Sequence, residues 1–341
     1  MLPEDLESKI ARIAVETSFN GAISVSSIGK EMVRSAFGYA NRADSLPNTQ
    51  DTRFGIASGC KLFTAVAVCQ LVEQGKLSFD SKLAECLEGV SFPHFSGDIT
   101  IHHLLTHSSG IPDYFDEEIM ENFEELWKAQ PMYGIRRLEH FLPMFQGSMM
   151  KFSTGERFHY NNAGYILLGL IVEKVSGIEF SDYVEQHVFQ PCNMIRSGYF
   201  ALDQLPSNTA QGYIEADNGG WRSNIFSIPV KGGSDGGAFV TAPEMLQFWE
   251  GLFEHRLLGP ELTALLLTPH IHVEKEEYYG YGIWIRTRGD GIMKFHVMGY
   301  DPGVSFHSAV YPDYGVKLAV TCNTSVGAYN IMNAVEEELL S

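Results

Sequence analysis

The sequence predicts an α+β fold: one antiparallel sheet built from strands at both ends of the chain, flanked by the terminal helices and set beside a helical lobe. Three observations lead there. Strand-like alternation clusters in the first 57 residues and again after about residue 278, the stretch between them carries helical patterns with few strand signals, and amphipathic helical spacing opens and closes the chain. With 341 residues, 45% hydrophobic and 12% aromatic, the chain has material for one large domain over 1–341, with a sheet lobe of about 1–57 and 278–341 and a helical lobe of about 58–277.

The elements follow in order. Leu6, Ile10, Ile13 and Ala14 recur at helical spacing within Leu2 to Thr17 and predict an amphipathic helix there. Ala22 to Ser26 and Met32 to Tyr39 read as two strands of a hairpin turning at Gly29-Lys30, and Arg53 to Ala57 as a short third strand. That strand delivers the chain to a helix that starts near Ser58 and ends near Gly75, a plausible C-cap. In the helical lobe, Thr100 is an N-cap for Ile101 to Leu105, Asp116 to Glu125 is an acidic, solvated helix or lid segment, and Ile166, Leu167, Leu170, Ile171 and Val175 share one helical face. A further helix is expected over Phe180 to Val188, and a loop-rich stretch over Ser197 to Val230. Gly232-Gly233-Ser234-Asp235-Gly236-Gly237 has neither P-loop nor Rossmann spacing and reads as a tight turn, before a helix whose start, Thr241-Ala242-Pro243-Glu244, is a capping box. Strands are expected at 281–286, 294–298, 305–311 and 316–321, then a closing helix from Ala328 to Leu340.

Composition excludes several classes of function. Lys plus Arg number 24 against 42 Asp plus Glu, a net charge of −18, which argues against nucleic acid and anionic membrane surfaces as partners. Five scattered cysteines (Cys60, Cys69, Cys86, Cys192 and Cys322) form neither a disulfide framework nor a thiolate metal site and fit a reducing compartment. The first residues lack a basic start followed by an apolar core, and the longest apolar run, Ala163 to Val172, is too short for a bilayer. The expectation is a soluble cytoplasmic protein, although the mature form of an exported one would look much the same. His103 and His107 stand four apart, but no Glu follows His103 as a metalloprotease helix would need, so hydrogen-bonded structural histidines are the expectation. No metal and no cofactor are called for.

Chemistry concentrates at Ser58-Gly59-Cys60-Lys61. Residues three apart on a helix share a face, so the two side chains can meet. A serine hydroxyl needs a neighbouring base to become a nucleophile, and a lysine in an apolar wall can serve as one. The alternative is a capped helix start with a solvated lysine. Cys60, a competing nucleophile in the same turn, is rotated about 100° away from that face.

With these residues stand others in a recognisable order: Gly75-Lys76-Leu77-Ser78-Phe79-Asp80, Ile99 to Ile111 with its Leu104-Leu105-Thr106-His107-Ser108-Ser109-Gly110, Tyr160-Asn161-Asn162-Ala163-Gly164-Tyr165, and Asp301-Pro302-Gly303. Over nearly its whole length the chain resembles the serine β-lactamase and penicillin-binding-protein family, in the branch of class C β-lactamases, DD-carboxypeptidases, D-aminopeptidases and related esterases. The resemblance implies a β-lactamase/transpeptidase-like fold and a serine hydrolase that forms an acyl-enzyme on an amide or ester, small molecule or peptide. Ser58 would attack, Lys61 and Tyr160 would manage protons, and Asn162 would orient Lys61 or the substrate. The backbone N–H groups of Ser58 and of Tyr300, on the edge strand, would hold the oxyanion. The alternative of the same fold is a penicillin-binding or ligand-sensing protein with weak or no turnover. The resemblance separates neither the substrates nor the oligomeric states.

One motif departs from the family. Members carry Lys or His two residues before the glycine that precedes Asp-Pro-Gly or its equivalent; with Gly299 as that glycine, the position holds Val297, and the basic residue is displaced to His296. Strand side chains alternate, so His296 should turn away from the cleft unless a β-bulge near Met298 re-aims it as a substrate-binding residue.

Overall fold

The computed structural model describes residues 5–340. Its strands are β1 (Gly21–Ser27), β2 (Lys30–Phe37), β3 (Ile271–Glu274), β4 (Glu277–Tyr279), β5 (Trp284–Arg288), β6 (Gly291–Asp301), β7 (Val304–Tyr311) and β8 (Val316–Cys322). They form one sheet in the order β2-β1-β8-β7-β6-β5-β4-β3, antiparallel at every junction. The two ends of the chain meet one strand in from the β2 edge, where β1 pairs with β8 from Gly21↔Cys322 to Ser27↔Val316.

The helices that matter for the site and its support are α1 (Leu6–Glu16), α2 (Lys61–Glu73), α3 (Ile101–Leu105), α4 (Asn162–Ser176), α5 (Ala242–Phe253) and α6 (Ala328–Leu340). Residues 2–4 of the expected N-terminal helix lie outside the described residues. Each face of the sheet is covered, which is why β1, β7 and β8 are buried on both sides. On one face Ile23, Val25, Leu318 and Val320 pack with Leu6 and Ile10 of α1 and Ile331 and Val335 of α6. A buried ion pair between Lys294 and Glu336, 2.8 Å apart, fastens α6 to β6 on that side. The other face carries Phe295, Val297, Phe306 and Val310 into the main core with α2, α4 and α5, and Trp249 of α5 donates to Ser308 Oγ at 2.8 Å.

Several expectations are corrected. The sheet resumes at Ile271 rather than 278, because β3 and β4 extend it. The third strand shrinks to Phe54–Gly55 and pairs with Phe239–Val240, outside the main sheet. The acidic segment 116–125 is no helix but irregular until a 3₁₀ turn at Phe123–Glu125; most of it is exposed, as expected, and Lys151 to Asp116, Arg157 to Glu118 and Arg222 to Glu124 tie it down. The Thr241 capping box is half formed: Thr241 accepts from the Glu244 N–H, but the Glu244 carboxylate is taken by the Arg196 N–H and the Ser197 hydroxyl. The helix after Gly177 is α-helical only over Phe180–Val184 and continues as a π-turn to Phe189. Among the described residues no helix is long and apolar enough to cross a membrane.

Candidate active site

Ser58 lies in a 3₁₀ turn, Ala57–Cys60, that opens α2. The residue before it, Ala57, has φ +44°, a left-handed conformation that a β-carbon disfavours. Its carbonyl accepts from the Gly237 N–H at 3.2 Å, so part of what holds this strained turn is the glycine-rich loop. That loop lies along the first turn of α2: the Asp235 carbonyl takes Lys61 Nζ, the Ser234 carbonyl takes Thr64 Oγ1 at 2.6 Å, and the Gly233 carbonyl faces Cys60 Sγ at 3.6 Å. The segment that reads as a mere turn is the floor of the site.

Lys61, only 2% exposed, has three polar partners: Ser58 Oγ at 2.9 Å, Asn162 Oδ1 at 2.8 Å and the Asp235 carbonyl oxygen at 2.7 Å. Two of these can only accept, whereas the serine hydroxyl can accept or donate. An amine with two protons therefore satisfies all three contacts with its lone pair on Ser58, and an ammonium satisfies them as well. Cys60 is sealed in the core, and burial pushes its thiol up to about 12, which removes it as a rival nucleophile.

Asn162 is the first residue of α4, whose N-cap is Asn161; the Asn161 Oδ1 accepts from the Gly164 N–H at 2.7 Å. Asp113 accepts from the N–H groups of Asn162 (2.6 Å) and Ala163 (2.9 Å) and from Asn162 Nδ2 (3.3 Å). The carboxylate thereby fixes which way the amide points, nitrogen toward Asp113 and oxygen toward Lys61. Burial raises the Asp113 carboxyl to about 7, against the pull of these N–H groups.

The Tyr160 ring packs on His107 (centroids 4.4 Å apart) and stacks with Trp284 (6.1 Å, 17° between planes), with Lys61 Nζ 4.8 Å from its centroid. Burial holds its phenol well above the ordinary range, Glu117 adds to this, and the hydrogen bond with Ser58 opposes it, so the resting side chain is a neutral phenol. His107 and His103 serve structure, as expected of them: His107 Nδ1 accepts from the Asn161 N–H at 3.1 Å, and His103 closes a capping box with Thr100 at the start of α3.

The end of β6 completes the cleft. β6 is interior to the sheet, not the expected edge strand, but β5 stops at Trp284, opposite His296, and leaves the rest of β6 unpaired on that side. Asp301 and Val304 close the two-residue turn to β7, so one residue earlier the Tyr300 N–H points outward, toward that open side. Gly299 touches the serine turn: a β-carbon there would stand 2.0 Å from the Ile56 carbonyl oxygen and 2.9 Å from the Ser58 nitrogen. Only glycine allows this approach. The Tyr300 side chain is 47% exposed and its hydroxyl bonds His307.

The structure does not bring His296 to the cleft. The β6–β7 register runs without a break from Phe295↔Val310 to Asp301↔Val304, so no bulge re-aims it. It shares the face of Lys294, which points at α6, and lies 3.3 Å from Glu277 Oε2; burial lowers its pKa and Glu277 opposes that. Val297 is buried in the main core. Ser58, Tyr160, Asn162 and Tyr300 line one cleft of about 1070 Å³, with Lys61 at its base. Elsewhere Asp116, Glu118 and His159 could converge on a metal ion, but Lys151 Nζ already sits among them, bonded to Asp116 and 2.7 Å from His159 Nε2.

A sequence model of the Beta-lactamase family matches residues 9–339. The chain belongs to that family. The crystal structure of a penicillin binding protein from Bacillus halodurans is 55% identical, with a TM-score of 0.93 over 96% of this chain and 99% of that one. An octameric penicillin-binding protein homologue from Pyrococcus abyssi is 29% identical, with a TM-score of 0.85 over 99% of this chain and 77% of that one. Penicillin-binding protein 4* of Bacillus subtilis is 32% identical over 212 residues, 61% of this chain but 45% of that protein, so the chain spans about half the length of this curated relative. The Beta-lactamase family is one of serine hydrolases, and four features of this member escape sequence reasoning: Asp113, the carbonyls of the 232–237 loop, Trp284, and the acidic residues Glu117, Asp235 and Asp301 that line the cleft or its floor. Of these the glycine string and Asp301, through Asp301-Pro302-Gly303, carry a local signal.

Proposed function

We propose that the protein is a metal-independent serine hydrolase that cleaves an amide or ester through an acyl-enzyme on Ser58. The observation that carries this reading is the Lys61 amine, 2.9 Å from Ser58 Oγ, with its other two contacts restricted to obligate acceptors. In the two-proton form Lys61 takes the Ser58 proton as Oγ attacks the carbonyl carbon. The oxyanion then meets the Ser58 and Tyr300 N–H groups, a placement supported by the close approach of Gly299 to the serine turn. Tyr160, a neutral phenol beside Ser58 and Lys61, gives its proton to the departing nitrogen or oxygen and is reprotonated from Lys61. Asn162, its amide set by Asp113, keeps Lys61 in place. Water deacylates the enzyme by the same route reversed.

Intact-protein mass spectrometry after treatment with a fluorophosphonate should show one adduct, mapped to the peptide containing Ser58 and absent from Ser58→Ala. No adduct, or one elsewhere, would overturn the reading. A second reading, a ligand sensor that acylates slowly, is favoured by Val297, which leaves the cleft without the family's basic residue. Stoichiometric labelling of Ser58 without turnover of any amide or ester would establish it.

A further inference from the structure

In the proposed mechanism Tyr300 supplies one of the two N–H groups that receive the oxyanion, yet the strands beside it do not hold its backbone. Asp301 and Val304 exchange hydrogen bonds across the turn, so the next pair, Tyr300 and Ser305, falls between bonds and the polar groups of Tyr300 point away from β7. On the other side β5 has already stopped, opposite His296. An oxyanion donor works by being in place before the charge develops, so something other than the ladder must fix this peptide.

The side chain does so from the opposite face of the sheet. Gly299 meets the serine turn, and Tyr300, the next residue, therefore leaves β6 toward α6. There its hydroxyl bonds Nε2 of His307 on β7, the two rings lying edge to face with centroids 5.5 Å apart and 74° between planes. His307 is buried, and its ring packs in turn on Tyr329 of α6, 5.7 Å away. The N–H of Ala328, at the start of the same helix, reaches Ser305 Oγ at 3.4 Å. Burial pushes the His307 imidazole down to about 3, with His296 and Lys294 adding to this, so it meets the Tyr300 phenol as a neutral ring. The half-exposed Tyr300 side chain is thus anchored at its tip to a group that β7 and α6 hold from two sides.

We infer that His307 is a positioning residue for the reaction: by holding the Tyr300 side chain on the α6 face, it fixes the peptide whose N–H receives the oxyanion on the cleft side. This rests on the serine-hydrolase reading and adds a residue that touches neither substrate nor Ser58. Without the bond, Tyr300 can turn about its own backbone, and the N–H turns with it.

The test measures how fast Ser58 of the intact protein is labelled by a fluorophosphonate and by its thio analogue, in which sulfur replaces the phosphoryl oxygen. Both lose fluoride to Oγ, but sulfur is a weak hydrogen-bond acceptor, so the oxygen-to-sulfur ratio of the two rates reads the oxyanion donors and is not moved by loss of folded protein. Tyr300→Phe, which deletes one hydroxyl from a half-exposed ring, and His307→Phe should each lower that ratio about threefold or more. The double variant should fall no further than the lower single one, because both break the same bond. His307→Gln, whose amide can accept or donate where Nε2 stands, should stay within about twofold of wild type. An unchanged ratio in Tyr300→Phe, losses that multiply in the double variant, or a His307→Gln ratio as low as that of His307→Phe each overturns the inference. If wild type labels at Ser58 and the ratio does not respond, only the positioning role has failed; if it does not label, the hydrolase reading has failed and the inference goes with it.

Discussion

Lys61 and Tyr160 bear on one hydroxyl, so their losses should not add. Lys61→Ala and Tyr160→Phe are each expected to lower kcat by about 10² or more, with the double variant little worse than the worse single one. Additive losses in a double-mutant cycle on any turned-over ester would show that the two do not share a step. His296 lies outside the cleft, and His296→Ala should change kcat/KM by less than about fivefold while lowering stability, because it leaves Glu277 with Arg286 alone. A loss of about 10²-fold in folded protein would contradict the placement. At this scale the sequence was informative about Ser58 and Lys61, whose residue types and spacing follow from the chemistry, and about Tyr160 and Asn162 through the family resemblance. It was silent on Asp113, and it placed Asp235 in a turn and Asp301 in a motif without giving either a role. Asp113, one aspartate among 42 acidic residues, carries no pattern of its own, and only the folding of distant segments onto α2 gives these three a place in the site.

Between elements, the contact of greatest consequence is β6 against the serine turn. Gly299→Ala would drive a β-carbon to 2.0 Å from the Ile56 carbonyl oxygen. The strand would have to withdraw, at a cost of about 1–3 kcal/mol in stability and, through displacement of the Tyr300 N–H, about 10²–10³ in kcat. Thermal unfolding alongside turnover would separate the two effects, and wild-type activity in a folded Gly299→Ala would refute the oxyanion assignment. The terminal strands and the closing helix Ala328–Leu340 were legible because alternation and helical spacing are local properties. β3 and β4 were not: at four and three residues, with β3 alternating between partly buried and exposed positions, they carry too short a pattern to stand apart from loop. The 232–237 segment is the tight turn expected, but its part in the site was missed for another reason. It acts through carbonyl oxygens, which every residue type possesses, so its sequence advertises flexibility and not function.

Across the whole molecule, the acids gathered at the cleft set a pH dependence of stability. Asp301 titrates near 7 when folded, against about 3.9 in an unfolded chain, so between these values the folded state holds the extra proton. Its contribution is complete below about pH 4 and is lost as pH rises toward and through 7. Asp301→Asn, which cannot ionise, should therefore unfold within about 1–2 °C of wild type near pH 4.5 and several degrees higher, roughly 5 °C, near pH 8. A gain independent of pH would assign the effect to packing.

The pairing of β1 with β8 means that the sheet cannot close until β8, almost 300 residues after β1, has been made (316 − 21 = 295). Ser58 and Lys61 leave the ribosome early, but Gly299 follows 241 residues after Ser58 (299 − 58), roughly 12–48 s later at ordinary rates of synthesis. During that interval the nascent chain has a serine beside a lysine and no N–H groups arranged to receive an oxyanion. On the proposed mechanism hydrolysis therefore waits for β6, and a chain truncated before β6 would be an inert product, not a partly active one.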